Sequence, residues 1–297
     1  MSATLLNKPG LIFNLNPDLP IGIFDSGVGG LTVLSALQEN LPHENFLYIG
    51  DNARLPYGTK SPQTIVRYAK QVAAALVKRK IKLLVVACNT ASAAALDELH
   101  TAYPELPIVG VIEPGAQAAC NASASGNIAV IATPSTIKNQ AYHRAIKRIN
   151  PRAHITAKAC PLFVPMAEEG LIAGPLAEGL VAHYLGELFA PDAGKTAASK
   201  AAAPDCLVLG CTHFPLLKDT ISKVIGPNIK IVDSANTTAL AVKKLLSGST
   251  DDGQDTLPVK IGATRFFTTD DAEHFALMGS LFLGKVLSTN DVEVIDL

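Results

Sequence analysis

The chain has 297 residues, 48% hydrophobic and 17% charged, which suffices for a sizeable buried core and excludes a disordered polymer. Its 25 basic and 26 acidic residues give a formal charge of -1, so no electrostatic footprint for nucleic acid is expected. Aromatic residues are 5% of the chain and Trp is absent, which leaves no platform for stacking bases or sugars.

Residues 1–20, MSATLLNKPGLIFNLNPDLP, read as a tail. Their single Lys and broken apolar run lack the order of a signal peptide. Strand-length apolar runs then alternate with longer helical patterns. The expected strands are IGIF (Ile21 to Phe24), NFLYIG (Asn45 to Gly50), LLVVA (Leu83 to Ala87), IVGV (Ile108 to Val111), IAVIA (Ile128 to Ala132), CLVLG (Cys206 to Gly210) and IKIVD (Ile229 to Asp233). Near-continuous apolar character suits parallel strands covered on both faces, and helices such as one from Pro62 to Lys80 supply the covers. The alternation predicts an α/β fold. The longest uncharged stretch, between Glu113 and Lys138, holds Pro114, Gly115, Gln117, Asn121, Gly126, Asn127 and Pro134, and makes a poor membrane span. Residues 191–205, PDAGKTAASKAAAPD, read as a surface insertion or, from their Ala content, as a helix extension.

A chain of this kind reads as cytoplasmic, with Cys88, Cys120, Cys160, Cys206 and Cys211 kept as thiols. Burial as small apolar side chains is the plainest role for each. Two of them share a context. LLVVACNTASAAAL ends a buried strand on Cys88 and runs into a helix, and CLVLGCTHFPLL does the same with Cys211. A duplicated α/β unit would produce this echo, and so would chance likeness of two buried strands.

Ligands in open α/β sheets bind outside the carboxyl ends of the strands. Four polar clusters fall at such ends: Asp25-Ser26, Asn52 to Gly58 in DNARLPYG, Cys88-Asn89-Thr90 and Cys211-Thr212-His213. A helix opening after each strand adds N–H donors and a positive dipole end, which favours anions and lowers a nearby thiol's pKa from about 8.5. A small amino-acid carboxylate fits that environment. DSGVGG lacks both the P-loop ending and the dinucleotide spacing, so Gly27, Gly29 and Gly30 read as a tight strand-to-helix turn. Asp25 and Ser26 need hydrogen-bond partners, and helix capping stands beside catalysis as their role. Cys211 and His213 fall on one side of an extended segment, as a tuned acid/base pair would. Two ligands are too few for a metal. Glu168 and Glu169, in ACPLFVPMAEEG, read from their residues alone as a solvated helix face.

Together DSGVGGLTVL, YIGDNARLPYG, VVACNTASA, GVIEPG, ACPLFVPMAEEG and LGCTHFPLL, in order from Ile21 to Ser234, resemble the bacterial glutamate racemases. The resemblance implies two pseudo-symmetric α/β domains with mainly parallel sheets and an active site in the cleft between them. Residues 21–113 with 232–297 would form the first domain and 114–231 the second. It implies interconversion of L- and D-glutamate for peptidoglycan without pyridoxal phosphate or metal, in a homodimer. Cys88 would deprotonate D-glutamate with support from Asp25. Cys211 would deprotonate L-glutamate with support from His213 and, further out, Glu168. Ser26, Tyr57, Gly58, Asn89, Thr90 and Thr212 would hold the substrate's charged groups. Asn139 and Ala235 stand where family members often have Ser and Gly, which touches peripheral contacts only. An α-proton is weakly acidic and a single base tends to return it to the face it left, so paired thiols match the stereochemical task. A racemase for another amino acid, a binding module without chemistry and a redox thiol protein are the rival classes. Thr-His after the second cysteine favours glutamate, pure binding has no use for paired thiols, and redox chemistry lacks its CxxC spacing.

Overall fold

The structure, a computed structural model, describes residues 15–189, 203–247 and 261–297. Most of the expected tail and most of the 191–205 stretch lie outside the described residues. The chain divides into two compact units. One holds the described residues through Val111 and again from Ala235, and the other runs Ile112–Ser234.

The first unit opens with β1 (Ile21–Asp25), α1 (Leu31–Asn40), β2 (Phe46–Gly50), α2 (Pro62–Lys78), β3 (Leu83–Val86), α3 (Asn89–Ala102) and β4 (Ile108–Gly110). The second holds α4 (Ile112–Ala122), β5 (Asn127–Ala132), α5 (Pro134–Asn139), α6 (Ala141–Ile149), β6 (His154–Ala159), α7 (Phe163–Glu168), α8 (Pro175–Phe189), β7 (Cys206–Gly210), α9 (Lys218–Ile225) and β8 (Lys230–Asp233). The chain returns through α10 (Ser234–Ser247) to β9 (Thr264–Thr268), α11 (Ala272–Leu283) and β10 (Val292–Val294). The sheets run β10-β9-β2-β1-β3-β4 and β6-β5-β7-β8, with every pair parallel. The order β2-β1-β3-β4 is repeated as β6-β5-β7-β8. In both units the segment ending in a cysteine is the third strand of that repeat.

All seven apolar runs form strands, and three further strands were not legible. In β6 most side chains are exposed or half-buried, because it is a sheet edge, so no continuous apolar run marks it. The strand β9 buries only Phe266, Phe267 and Thr268 after a polar start, and β10 is three residues long. The helix expected to reach Lys80 ends at Lys78, and Lys80 turns the chain with φ of 59°. That helix shows the packing logic. Ser61 caps it by accepting from Thr64 N–H at 3.3 Å, Pro62 opens it, and Ile65, Ala69, Val72, Ala73 and Leu76 form its buried stripe. Each fully buried Ile or Leu of such a stripe stabilises the fold by about 1.5–3 kcal/mol.

In the second unit the ring of Phe163 packs edge-on against Phe214 with centroids 5.2 Å apart, and against Tyr184 at the same distance. This cluster docks α7, which ends on Glu168, against the segment after Cys211.

In DSGVGG it is Gly30 that serves space and not an unusual backbone angle. Gly30 has φ of -64°, in the ordinary helical region. A Cβ there would stand 2.5 Å from Asp25 Cβ, 2.9 Å from Tyr48 Oη and 3.0 Å from Ala87 Cβ. At Gly27 the nearest atom is the movable Leu55 Cδ1 at 3.1 Å. Gly30→Ala should therefore destabilise the protein by about 1–3 kcal/mol in urea unfolding, as overpacked cores do, and Gly27→Ala by clearly less.

Candidate active site

Register decides which side chains share an edge. In the first sheet Phe24 faces Val86 and Asp25 faces Gly50. Continued past the strand ends, that register sets Ser26 level with Cys88 and Asp51, one residue beyond Asp25. In the second sheet Ala132 faces Gly210, which sets Thr133 level with Cys211. A hydroxyl level with a thiol thus recurs in both units. The acid does not recur, since the place of Asp25 is taken by Ala132.

In the first unit Cys88 is buried and caps α3, accepting from Ala91 N–H at 3.4 Å. Its thiol donates to the Ser26 hydroxyl oxygen at 3.6 Å. The amide and the positive end of the helix favour a thiolate at this sulfur. Asn89 and Thr90, both buried, open the same helix. Asp25 is fully buried and accepts from Gly27 N–H at 3.0 Å. The Tyr48 hydroxyl donates to the Gly27 carbonyl at 2.9 Å, so one phenol pins the turn that aims Asp25. Burial first, and then the charges of Asp25 and Cys88, push that phenol well up, and it stays protonated. Tyr57 and Gly58 are buried in a short turn after β2. The Tyr57 hydroxyl donates to Asp51, and burial together with the Asp51 charge pushes this phenol up as well.

In the second unit Cys211 is buried directly after β7. Its sulfur lies 3.9 Å from His213 Nδ1, and Thr212 Oγ1 lies 3.5 Å from the same nitrogen. His213 Nε2 lies 2.9 Å from Glu168 Oε1, while Glu169 is exposed. Burial works against a charged imidazole here. The hydrogen bonds and charges of Cys211 and Glu168 outweigh it and push His213 up to about 10. The ring is then an imidazolium at neutral pH, with both nitrogens donating, one to the carboxylate and one toward the sulfur.

The other cysteines differ. Burial pushes Cys160 and Cys206 up to about 12 and raises Cys120, so each remains a thiol. Two polar groups at the first edge escaped the sequence reading. Tyr48 sits inside an apolar strand run and looks like core, and Asp51 immediately precedes the cluster counted from Asn52. Among the described residues, no helix is long and apolar enough to cross a membrane, and no three His, Cys, Asp or Glu side chains are grouped to hold a metal.

Residues 31–242 match the Asp/Glu/hydantoin racemase family. The chain belongs to it. Within that family it stands among the glutamate racemases. It is 49% identical to a glutamate racemase of Geobacter metallireducens over 90% of this chain and 93% of that one. The crystal structure of a Bacillus anthracis glutamate racemase superposes with a TM-score of 0.83 at 35% identity, covering 95% of this chain and 99% of that one. The Francisella tularensis glutamate racemase in complex with D-glutamate gives 0.81 at 33% identity, covering 95% and 98%.

The His213 ion pair in this racemase carries a pH signature. A histidine raised from 6.5 to about 10 on folding contributes stability fully present below pH 6.5 and lost as pH rises through about 10. Urea unfolding of the racemase and of His213→Gln should therefore differ most below pH 6.5, with the gap closing above pH 10. Groups that do not touch His213 act on both proteins and cancel in the difference, whereas Cys211 and Glu168 belong to the interaction being measured.

Proposed function

We propose that this glutamate racemase interconverts L- and D-glutamate without a cofactor, by proton transfer between Cys88, Cys211 and the two faces of the α-carbon. The product D-glutamate supplies peptidoglycan synthesis in the cytoplasm. The observation that carries this reading is the recurrence of a buried thiol, level with a hydroxyl, at the end of the third strand in two like-ordered sheets. D-glutamate bound to the Francisella tularensis relative supports the substrate class.

The chemistry balances without a further reagent. The Cys88 thiolate takes the α-proton of D-glutamate, breaking C–H and forming S–H. The Cys211 thiol gives its proton to the opposite face of the carbanion and is left as thiolate. L-glutamate leaves, and the enzyme stands ready for the reverse direction. The imidazolium of His213 stabilises the charge that appears on Cys211, and Glu168 holds that imidazolium in place. On the other side the α3 amides and Asp25 tune Cys88. Ser26, Asn89, Thr90, Thr212 and the Tyr57–Gly58 turn hold the ammonium and carboxylates.

Cys88→Ser and Cys211→Ser should each lower kcat/KM by about 100-fold or more, since each removes a general acid/base. Cys160→Ser and Cys206→Ser should change stability alone, because both are fully buried thiols. Chiral assay of glutamate turnover in deuterated buffer, after dialysis against chelator, checks this set. The wild type should put solvent deuterium on the α-carbon of its product. Near-normal turnover in Cys88→Ser or Cys211→Ser, or recovery only with added pyridoxal phosphate or metal, would sink the two-thiol route.

A further inference from the structure

Asp51 comes directly after Gly50 at the end of β2 and is fully buried. Its carboxylate accepts from the Tyr57 hydroxyl, from Arg54 Nε at 2.7 Å and from the Thr269 hydroxyl at 3.0 Å. Its own N–H donates to the Asp25 carbonyl at 3.1 Å. Donors from the start of the loop, from its far turn and from the end of β9 therefore converge on one anion. Burying a carboxylate is costly, and only such a full set of donors offsets the loss of water.

The gathered loop is held elsewhere too. Arg54 Nη1 reaches Gln71 Oε1 at 2.5 Å, and its guanidinium lies 4.5 Å over the Tyr68 ring. The Tyr57 ring packs 5.7 Å from the same ring. The far turn, Tyr57–Thr59, rests on α3, the helix that Cys88 caps. Tyr57 and Cys88 belong to one buried cluster. A shift of Asp51 would be felt directly at the turn beside the thiol.

We propose that Asp51 is a positioning residue for substrate binding, whose buried carboxylate draws Arg54, Tyr57 and Thr269 together and so fixes the Tyr57–Gly58 turn beside Cys88. This rests on the assignment of that turn to substrate binding. Asparagine cannot replace the anion, because it carries no charge for Arg54, which can only donate, and it keeps one acceptor oxygen where the carboxylate serves three donors. The thiol chemistry is left intact by such a change, since Asp51 touches no reacting atom.

The test measures kcat and KM for both glutamate enantiomers in wild type, Asp51→Asn, Tyr57→Phe and the double variant. Asp51→Asn and Tyr57→Phe should each raise KM about tenfold, the loss of a hydrogen bond to a charged group, with kcat within about threefold of wild type. The double variant should be no worse than Asp51→Asn, because the two changes break one connection. If Asp51→Asn does not fold, Tyr57→Phe alone must still raise KM, since it keeps the buried ring. An unchanged KM with a lower kcat, as a loss of folded enzyme would give, overturns the role, and so do KM effects that multiply. A wild type that turns over no glutamate would overturn the functional reading and this role with it.

Discussion

Parallel strands paired in register bring their carboxyl ends to a common edge, and a sheet covered by helices offers few other places for reactive side chains. In this racemase that pairing sets Cys88 beside Ser26 and places Cys211 level with Thr133. The side chains on the strands themselves are core. The polar groups of the edge begin at the last strand residue, with Asp25, or just past it, with Cys88 and Cys211, and the register fixes their height. Gly30 and Gly50 belong to the same constraint. The edge of the first sheet is so tightly filled around Asp25, Tyr48 and Phe275 that neither position has room for a Cβ.

The two edges are alike in topology and unlike in electrostatics. The first surrounds its thiol with helix amides and an acid carried on the neighbouring strand. The second borrows an acid from α7, docked by Phe163 against Phe214, and passes its influence through His213. The proposed reaction tolerates such inequality. In the proposed route two bases meet enantiomers of equal energy, and the groups that receive charge need not be identical as long as each face has its own. The imidazolium, pushed up to about 10, balances the Glu168 carboxylate across the physiological range.

The strands with buried faces were legible because covered parallel strands are written as unbroken apolar runs. The edge strand β6 was not, since HITAKA exposes much of itself and resembles a loop. The cysteine pair was legible through the echo of strand, thiol and helix. Glu168 was not separable from Glu169 by residue physics, because only the docking of α7 decides which carboxylate turns inward. Gly30 of DSGVGG was noticeable but its reason was not: crowding by Tyr48 and Ala87, distant in sequence, has no local mark. Asp51 and Tyr48 were hidden for a similar cause, as their partners Thr269 and Gly27 become neighbours only when the sheet forms.

The proposed division of labour between Asp25 and His213 is tested most directly by isotope effects on the α-proton. Because L- and D-glutamate have equal free energies, kcat/KM must be the same in both directions, and no variant can slow one direction alone by that measure. Isotope effects carry no such restriction, since weakening one base raises the barrier on its own side. Asp25→Asn should make transfer at Cys88 more rate-limiting, so α-deuterated D-glutamate should show a larger effect on kcat/KM than α-deuterated L-glutamate. His213→Asn should reverse that order. The same order in both variants would contradict the placement of the two groups on opposite faces of the substrate.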